Sequence, residues 1–554
     1  MHIKKLKILN FKRFGGQVDE QVFDFNEDIN IVVGDNESGK STLLEAIEIC
    51  LNFCYRGKPL NSELTTDLFN NDCINQYLSG NKSQETLPEI LIEAYLDGNP
   101  NLKGNNNSDK KDNEGIFVHI YFDPELSDSY AAFIKEPEKV STLPVEFYTV
   151  DWYSFAWNRL THHNKNIKCL FVDPTRLHPT YGRAKYINSI INAALKKKAR
   201  STLNLNYRQL KAKFDKEADV VAINSNLDAD NEVSNKSLKI TADIATTTSW
   251  ESGLQLAVDD ISFGQIGKGE QNQIQIKLAL QNKEKDVDII MLEEPENHLS
   301  HINLVQLINY IEKKHEGKQI FLTTHSSYVL NKLSFDKLCL LANQYIRLKE
   351  VDSGTVKTLV RLPGYDTLRV ILAQKLILVE GPSDELLLKK IFLKKYGCLP
   401  EERGIDIIVV RGIGFKNYLN IVKPLRHPVR VVKDNDGDYK KNIVDWADDY
   451  KEYSFIKYFS PDSSDQYSLE PALIEANGDT LESLDKLAKV MLSKQTFKKY
   501  QDQSNIVAKK GFFKAWYDNE KSGSKKVDSA IRIFDSNEDI KFPEYLEKAV
   551  DFDA

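Results

Sequence analysis

The sequence lacks the features of a membrane-spanning or secreted protein. No run approaches the ~18 apolar residues that a bilayer-spanning helix needs, and the first ten residues contain no apolar signal-peptide core. The six cysteines are scattered, without a C-x-x-C pair or a nearby histidine, which argues against a zinc site or a disulfide framework. We therefore expect a cytoplasmic protein without membrane contact, whose cysteines are buried thiols.

The sequence also lacks a strong net charge. It has 74 Lys and Arg residues against 81 Asp and Glu residues, a formal net charge of −7, so overall basicity does not mark a nucleic-acid binder. DNA binding is not excluded, because metal-dependent nucleases concentrate carboxylates at the site and confine lysines to local patches. At 554 residues the chain is too long for one hydrophobic core, and we expect several domains of ordinary globular composition.

A phosphate-binding loop lies near the amino terminus. Residues 34–41, GDNESGKS, match G-x-x-x-x-G-K-[ST] at every fixed position, after an apolar strand and before a helical pattern; the alternative is a chance glycine turn. The glycines let backbone N–H groups point at phosphate oxygens, while the lysine adds a cation and the serine a hydroxyl for Mg²⁺. The predicted nucleotide-binding residues are Gly34, Asn36, Gly39, Lys40, Ser41 and Thr42.

Two further elements of a nucleotide site follow along the chain. Gly267 and Gly269 lie in a glycine-rich turn that opens a helical pattern, which is typical of an anion site. The apolar strand at 287–292 then ends in the adjacent acids Glu293 and Glu294. We expect Glu293 to reach the Mg²⁺ shell and Glu294 to polarise the attacking water.

A histidine, His325, follows the next strand-like run. One histidine at a strand end is usually structural, but here it completes the order phosphate loop, glycine turn, carboxylate pair, histidine. These elements resemble an ABC-type ATPase with Walker A at 34–41, a signature at 267–271, Walker B at 289–294 and His325 as the switch histidine. Gly267 departs from the transporter form, which has serine there. The resemblance implies dimerisation, with ATP held between the Walker A of one head and the signature of the other.

A second chemical centre is predicted in the carboxy-terminal part. Glu380 follows an apolar strand and precedes a glycine turn and a helix, and Asp434 and Asp436 end another strand. Open α/β sheets bind ligands at this edge, and residues i and i+2 of an extended chain point the same way. Three converging carboxylates without histidine or cysteine would suit Mg²⁺ or Mn²⁺. The alternative is two acidic turns without a shared site, in which the D-x-D-G-D spacing of the second is either a calcium-like loop or simply solvated.

This pattern resembles the TOPRIM domain of topoisomerases, primases and OLD-family nucleases. An ABC-type ATPase followed by a TOPRIM unit resembles the OLD family of ATP-dependent endonucleases, which includes anti-phage effectors such as the Gabija nuclease and retron-associated OLD proteins. The resemblance covers most of the chain and is weakest at 60–250 and after 480. It implies two-metal cleavage of a phosphodiester. The implied residues are the metal ligands Glu380, Asp384, Asp434, Asp436 and Glu470, and Lys510 as the residue that stabilises charge on the phosphate.

The predicted fold class is α/β, an ABC-type P-loop ATPase with a helical insertion followed by a TOPRIM α/β domain. Glu470 as a helix-start residue and Lys510 as a solvated lysine remain alternatives to their implied roles. The insertion contains basic helical patterns that suit either a solvated insertion or a DNA-contacting arm. The expected divisions are 1–150, the first half of the ATPase; 151–252, the helical insertion and candidate dimerisation region; 253–365, the second half; and 370–554, the TOPRIM domain with a helical extension.

Local patterns give further expectations about the first 250 residues. Strands are predicted at 90–95, 116–122 and 131–134, with the Asn- and Gly-rich segment 98–115 as an exposed hairpin tip. Helical patterns are predicted at 186–198 and 203–218, and a loop-rich connection with one short strand at 222–252.

The leading functional hypothesis is an ATP-hydrolysing, metal-dependent DNA endonuclease of an anti-phage defence system. Its expected cofactors are ATP and Mg²⁺ or Mn²⁺ at both sites. Its expected partners are DNA, a second copy bound through the ATPase heads, and a helicase-like protein or a reverse transcriptase with its nucleic acid. The alternative is an ATP-switched sensor or scaffold with little nuclease activity, against which the retained acids Glu380, Asp434 and Asp436 argue. A strand-passing or primase enzyme lacks any sequence signal for the further domain it needs.

Overall fold

The computed structural model divides the chain into two compact units. The first unit comprises residues 1–325 and 339–345, and the second comprises residues 326–338 and 346–554. The structure describes all residues except 18, 57, 137, 139, 162–163, 165–166, 174–196, 230–238, 243–256, 282–286, 316, 334, 342–344, 348–353, 356, 359–365, 412–413, 518–522 and 553–554.

The first unit is built on two six-stranded sheets. One is antiparallel; its spatial order is Val22–Asp24, His2–Leu9, Ile90–Asp97, Asn113–Phe122 and Lys103–Gly104, with Tyr148–Ser154 also paired to Asn113–Phe122. The second sheet has the order Cys169–Val172, Ile289–Glu293, Gln319–Thr323, Ile29–Gly34, Leu338–Leu341 and Tyr345–Arg347. Its first four strands run parallel, so their carboxyl ends meet at one edge.

The described helices of the first unit differ in their burial. The helices are Lys40–Asn52, Asn71–Ser79, Ser127–Phe133, Lys197–Phe214, Ala218–Ala229, Lys268–Gln281 and His301–Lys314. Helix Lys40–Asn52 packs against strands of both sheets, and ten of its 13 residues are buried. Every residue from Leu43 to Leu51 is buried, including Glu45 and Glu48, so this part of the helix is enclosed on all sides. The phosphate loop therefore leads into the most enclosed helix of this unit.

Two local expectations about the first unit are wrong. Residues 131–134, predicted as a strand, lie in helix Ser127–Phe133 and its carboxyl cap, since Ala131 and Ala132 favour a helix. Residues 222–229, predicted as part of a loop-rich connection, lie in helix Ala218–Ala229. The strands predicted at 90–95 and 116–122 are confirmed.

The basic helical patterns of the insertion are confirmed only in part. Helix Lys197–Phe214 contains most of the second pattern, which ends at Phe214 rather than at residue 218. Residues 186–196 of the first pattern lie outside the described residues, as do residues 230–238 and 243–252 of the expected connection.

The Asn-rich segment 98–115 is only in part the exposed tip that its composition predicts: eight of its 18 residues are exposed, and others are held on the sheet. Asn107 is only 3% exposed. The carboxylate of Asp109 accepts hydrogen bonds of 2.5 Å from both Lys5 and Lys7, which lie in strand His2–Leu9. Charge-assisted hydrogen bonds can hold a segment that has few apolar side chains. Polar partners distant in sequence thus fix this segment on the antiparallel sheet.

The second unit is a four-stranded parallel sheet covered by helices. The strand order is Ile405–Val409, Lys375–Val379, Val429–Val432 and Ile456–Phe459, with every pair parallel. Helices after residue 480 share one hydrophobic core with the sheet, so the expected extension is an integral part of the unit. The described helices are Ser327–Leu333, Thr367–Leu372, Pro382–Tyr396, Phe415–Leu425, Trp446–Asp448, Leu469–Ala476, Leu481–Met491, Lys494–Gln501, Ile506–Tyr517, Gly523–Asp535 and Glu544–Ala549.

The second unit begins earlier than the expected boundary between residues 365 and 370. Helix Ser327–Leu333 packs against helix Thr367–Leu372. A buried hydrogen bond of 2.5 Å from Thr367 Oγ1 to Asn331 Oδ1 joins the two helices. Residues 326–338, expected in the second half of the ATPase, therefore cluster with the carboxy-terminal unit.

The structure bears on two further expectations, the lack of a membrane-spanning helix and the burial of the cysteine thiols. Within the described part of the chain, every helix is too short or too polar to cross a bilayer. The thiols of Cys50, Cys54 and Cys339 are buried, and those of Cys73, Cys169 and Cys398 are half-buried. The expectation of buried thiols is therefore confirmed for three of the six cysteines.

We predict that Asp109→Asn destabilises the first unit by about 1–3 kcal/mol, the usual contribution of hydrogen bonds between charged groups. Partial burial works to raise the pKa of Asp109, but the hydrogen bonds from Lys5 and Lys7 outweigh it and hold the pKa at about 2. Because an unfolded aspartate titrates near pH ~3.9, the contribution is full above that pH and is lost as the pH falls towards the folded pKa. Urea unfolding of parent and variant at neutral and acidic pH measures it.

The matched control is Asp112→Asn, because Asp112 pairs with Lys103 at 3.3 Å and both side chains are largely exposed. Such a surface pair contributes little, so this variant should match the parent. A stability difference for Asp109→Asn that does not shrink in acid would contradict the proposed role of its ion pairs.

Candidate functional site

The phosphate loop connects the strand that ends at Gly34 to the helix that begins at Lys40. Gly39 has a φ of +100°, a conformation that favours glycine. The Lys40 ammonium donates hydrogen bonds of 2.8 Å to the carbonyl oxygens of both Gly34 and Asp35. Burial lowers the pKa of Lys40. The phosphate loop thus surrounds the Lys40 ammonium at the amino terminus of a helix, where a phosphate group binds favourably.

The two residues predicted to hold Mg²⁺ in the first unit are in direct contact. The Ser41 hydroxyl donates a hydrogen bond to Glu293 Oε1. Ser41 lies in the first turn of helix Lys40–Asn52, and Glu293 is the last residue of strand Ile289–Glu293. In the sheet, strand Gln319–Thr323 lies between that strand and strand Ile29–Gly34, which leads into the phosphate loop. A hydroxyl and a carboxylate in direct contact supply oxygen ligands of the kind that Mg²⁺ prefers.

Glu294 is held in an unusual backbone conformation with both carboxylate oxygens engaged. Its φ is +42°, and its N–H bonds the carbonyl and the hydroxyl of Thr323 at 3.2 and 3.0 Å. Asn297 Nδ2 donates to Glu294 Oε2 at 2.7 Å, and His325 Nε2 lies 3.4 Å from Glu294 Oε1. A non-glycine residue with positive φ is uncommon and often marks a functional site. The structure therefore brings the predicted water-polarising acid and the predicted switch histidine together.

Glu296 is a positioning residue that the sequence analysis missed. Its Oε1 accepts hydrogen bonds of 2.7 Å from the Thr324 hydroxyl and the His325 N–H. Burial raises the pKa of Glu296. The available sequence signal was a third acid, two residues after Glu294, in the turn that follows the strand.

Among the described residues, the structure shows no contact that bears on the predicted nucleotide-binding roles of Asn36, Thr42, Gly267 and Gly269. A Cβ at Gly269 would lie 2.1 Å from the His298 carbonyl oxygen, so glycine is needed there, whereas a Cβ at Gly267 would meet nothing within 4 Å. Asn36 is exposed on the phosphate loop, and Thr42 is half-buried in the first turn of its helix. Their roles stay predictions.

Four acids of the second unit form a group that we name the carboxylate centre: Glu380, Asp384, Asp434 and Glu470. Glu380 and Asp434 follow adjacent parallel strands, and the Asp434 N–H donates to Glu380 Oε2 at 3.4 Å. Burial, reinforced by the negative charge of the neighbouring acids, raises the pKa of Asp384 to about 7 and that of Asp434 to about 8. The sequence analysis predicted all four acids.

The donor set of the carboxylate centre fits a divalent cation. Asp384 and Glu470 are buried, Asp434 is half-buried and Glu380 is exposed. The acids repel one another, and a nearby cation would favour their charged forms. Carboxylate oxygens are the ligands that Mg²⁺ and Mn²⁺ prefer. Within the described residues no three His, Cys, Asp or Glu side chains stand in the geometry of a ready-made metal site. The carboxylate centre therefore fits a divalent cation by the type of its ligand atoms and not by a ready-made coordination geometry.

Asp436 does not share the extended geometry from which its role was predicted. The backbone turns at Asp436 with a φ of +49°, and the side chain is exposed. The alternation that would place Asp434 and Asp436 on one side applies only to an extended chain, so this expectation about their orientation is wrong. Its assignment as a metal ligand stays a prediction from sequence position.

The lysine beside the carboxylate centre is Lys526. Its Nζ lies 3.0 Å from Glu470 Oε2. Burial works to lower the pKa of Lys526, but the negative charge of Glu470 and its neighbours outweighs it and raises the pKa. The predicted Lys510 instead lies 2.7 Å from Glu475 Oε2. Both lysines follow Glu470 by dozens of residues in lysine-rich helices, so the sequence offered no spacing that would separate them.

Asn435 is a further residue that the sequence analysis missed. It is fully buried, and its side-chain amide donates to the carbonyl oxygens of Pro461 and Ser463 at 2.8 and 3.0 Å. Its Oδ1 accepts from the Gly437 N–H at 2.8 Å. The amide thereby fixes the turn that carries Asp434, and its only sequence signal was its place between two acids.

Two family matches divide the chain in the predicted order. The AAA domain family matches residues 5–350. The family described as "Overcoming lysogenization defect protein-like, TOPRIM domain" matches residues 371–436. The predicted fold class, an ATPase followed by a TOPRIM α/β domain, is confirmed by these matches.

The curated relatives are DNA replication and repair proteins RecF. The protein of Clostridium acetobutylicum is 31% identical over 128 residues, which cover 23% of this chain and 33% of the relative. That of Clostridium novyi is 26% identical over 208 residues, which cover 35% of this chain and 54% of the relative. The chain thus spans a third to about half the length of these relatives.

Solved structures of SMC head domains are among those similar to this chain. An Smc head derived from Pyrococcus furiosus, bound to the carboxy-terminal domain of ScpA, is 13% identical with a TM-score of 0.36, and the match covers 65% of this chain and 99% of that one. An SMC head domain from Thermotoga maritima is 12% identical with a TM-score of 0.28, covering 63% of this chain and 99% of that one. Likenesses at these values carry no inference about function.

Proposed function

We propose that this chain, which belongs to the AAA domain family and carries an OLD-like TOPRIM domain, is an ATP-hydrolysing, metal-dependent DNA endonuclease. The carboxylate centre carries this proposal. Four acids gather at the carboxyl edge of a parallel sheet, and two of them, Asp384 and Glu470, are buried. With the lysine beside them, they combine cation ligands with a positive charge for a phosphate.

In the first unit, the proposed reaction is hydrolysis of ATP. The backbone of the phosphate loop and the Lys40 ammonium bind the phosphates, and Ser41 and Glu293 hold Mg²⁺. Glu294 orients the attacking water and accepts its proton, while His325, 3.4 Å from Glu294 Oε1, contacts the same carboxylate.

In the second unit, the proposed reaction is cleavage of a DNA phosphodiester. The carboxylate centre would hold Mg²⁺ or Mn²⁺, which when bound supplies an activated nucleophile and stabilises charge on the phosphate. We assign the positive charge that contacts the phosphate to Lys526, because Lys526 contacts Glu470 whereas Lys510 contacts Glu475. Asn435 keeps Asp434 in place.

We propose a role in anti-phage defence from the sequence resemblance to the OLD family. Defence-system partners, whether a helicase-like protein or a reverse transcriptase with its nucleic acid, belong to this proposal. Plaque counts on cells that express the parent or an Asp434→Ala variant test it. Equal phage titres on both would contradict a defensive role of the nuclease.

Lys40→Ala should abolish ATP hydrolysis because the outer phosphates lose their cation, whereas Glu294→Gln should bind ATP without turning it over. Nucleotide binding and phosphate release, measured side by side, separate the two effects. Turnover by Glu294→Gln at the parental rate would contradict the role assigned to Glu294. Glu312→Gln, on the outer helix His301–Lys314, serves as the control that should keep full activity.

The ATP-bound protein should be at least a dimer, because in ABC-type ATPases the signature of one head closes over ATP on the other. Glu294→Gln traps ATP and is the suitable form for the measurement. Light scattering with and without ATP gives the molar mass. A monomeric mass in both conditions would contradict the proposed partner.

Asp434→Ala should abolish DNA cleavage and leave ATP turnover intact. The substitution removes a ligand of the carboxylate centre and touches no residue of the phosphate loop. Plasmid nicking and phosphate release are measured on one preparation, with Asp449→Ala, an exposed acid of the same unit, as control. Nicking that persists at the parental rate would place the cutting centre elsewhere. An active ATPase without cleavage in the parent would favour the sensor or scaffold alternative.

Lys526→Ala should slow cleavage about 10²-fold, and Lys510→Ala should leave it near the parental rate. The expected loss is that of one charged donor to a transition-state oxygen. Single-turnover cleavage rates of the two variants decide between the lysines. The reverse ranking would restore the role that the sequence resemblance gave to Lys510.

A further inference from the structure

Tyr545 presents a buried hydroxyl that nothing in the described structure satisfies. Its oxygen is shielded from solvent and has no hydrogen-bond partner among the described residues. The ring packs against the hydrophobic core of the second unit, in helix Glu544–Ala549. Nearly all buried polar groups are hydrogen-bonded, so an exception calls for a ligand, a water or a catalytic role.

The charged groups that surround Tyr545 belong to the carboxylate centre. Helix Glu544–Ala549 packs against helix Pro382–Tyr396, which carries Asp384, and against strand Val429–Val432, which leads to Asp434. Asp384, Asp434 and Glu470 interact with Tyr545 electrostatically. Burial and these negative charges raise the pKa of Tyr545, so the phenol retains its proton and can donate. Three of the four acids of the centre thus lie around a free donor.

A buried arginine ties Tyr545 to the strand that carries the centre. Arg430 Nη1 donates to the carbonyl oxygens of Lys548 and Ala549 at 2.6 and 3.1 Å. These carbonyls end helix Glu544–Ala549, where a cation is favourable. Arg430 lies in strand Val429–Val432, which leads directly to Asp434. The same strand therefore fixes both an acid of the centre and the helix that bears the donor.

We propose that Tyr545 donates a hydrogen bond to an oxygen atom that enters the carboxylate centre together with the cation. That oxygen belongs either to a water molecule or to a non-bridging position of the DNA phosphate. The carboxylates of the centre only accept hydrogen bonds when ionised, and Tyr545 supplies a neutral donor beside them. This inference rests on the proposed nuclease function and adds Tyr545 to its site.

The test is Tyr545→Phe, which removes the hydroxyl and keeps the ring that packs in the core. The matched control is Tyr458→Phe: its hydroxyl is also buried and unpartnered among the described residues, but the acid that interacts with it electrostatically is Asp449, which is not part of the carboxylate centre. Mn²⁺ titration without DNA or nucleotide, followed by electron paramagnetic resonance, gives the cation affinity. The Mn²⁺ that the parent binds and Asp434→Ala does not is assigned to the centre.

Single-turnover plasmid cleavage is measured on the same variants. We expect Tyr545→Phe to weaken Mn²⁺ binding or slow cleavage by about 10-fold or more, the effect of losing a hydrogen bond to a charged group. Weaker Mn²⁺ binding without DNA identifies a water oxygen as the acceptor. Slower cleavage with unchanged Mn²⁺ affinity identifies the phosphate. ATP turnover should stay at the parental rate, and Tyr458→Phe should match the parent throughout.

The outcomes separate this inference from the function on which it rests. If the parent binds Mn²⁺ at the centre and cuts DNA while Tyr545→Phe does both equally well, the role of Tyr545 is overturned and the nuclease stands. If the parent binds Mn²⁺ but does not cut, the nuclease fails and an unchanged Mn²⁺ affinity in Tyr545→Phe overturns the inference as well. A parent that neither binds Mn²⁺ nor cuts overturns both.

Discussion

Repulsion among the acids of the carboxylate centre is a constraint that the fold of the second unit must offset. Asp384 and Asp434 are held close to other acids in a site shielded from water, and their pKa values rise to about 7 and about 8. Placing acids there disfavours their charged forms unless a cation offsets the repulsion. Lys526 offsets part of it through Glu470. Such an arrangement stabilises the fold poorly, and a divalent cation, as in the proposed nuclease, would offset the rest of the repulsion.

The surrounding residues hold these acids in place against their repulsion. Asn435 fixes the turn after one strand, and Arg430 joins that strand to the helix that bears Tyr545. The Gly381 N–H donates to Asp384 at the start of helix Pro382–Tyr396. Each contact involves backbone carbonyl or amide groups, so the positions of the acids depend on the fold of the whole unit.

In the first unit, the fold instead positions the Lys40 ammonium and the amino terminus of a helix, two features that favour phosphate. Helix Lys40–Asn52 is enclosed by two sheets, so its amino terminus is fixed without help from a ligand. The strands on one side of it end in Glu293 and Thr323. The groups predicted to bind ATP, hold Mg²⁺ and polarise water therefore come from three parallel strands and one helix.

Much of the two candidate sites is predictable from the sequence, because many of their residues lie in short motifs with fixed spacing. The phosphate loop, the acid pair after an apolar strand, and Glu380 before its glycine turn are each short segments whose spacing already determines where the side chains lie. Asp436 shows the limit of such spacing, because a single left-handed residue ends the extended geometry.

The rest depends on pairs that are distant in sequence. Asp109 contacts Lys5 and Lys7, about a hundred residues earlier in the sequence, so composition alone could not predict that part of segment 98–115 is fixed on the sheet. Lys526 and Tyr545 reach the carboxylate centre from helices more than fifty residues after Glu470, and neither belongs to a motif. Such contacts follow from tertiary packing, which a single sequence does not specify by pattern.

The central claim, that the second unit cuts DNA, is tested most directly on the unaltered protein. Supercoiled plasmid is incubated with the purified chain and Mg²⁺, Mn²⁺ or EDTA, each with and without ATP, while phosphate release is followed in the same tubes. The account predicts nicked or linear plasmid with a divalent cation and intact plasmid with EDTA. Plasmid that stays supercoiled in every condition, in a preparation that hydrolyses ATP, would contradict it.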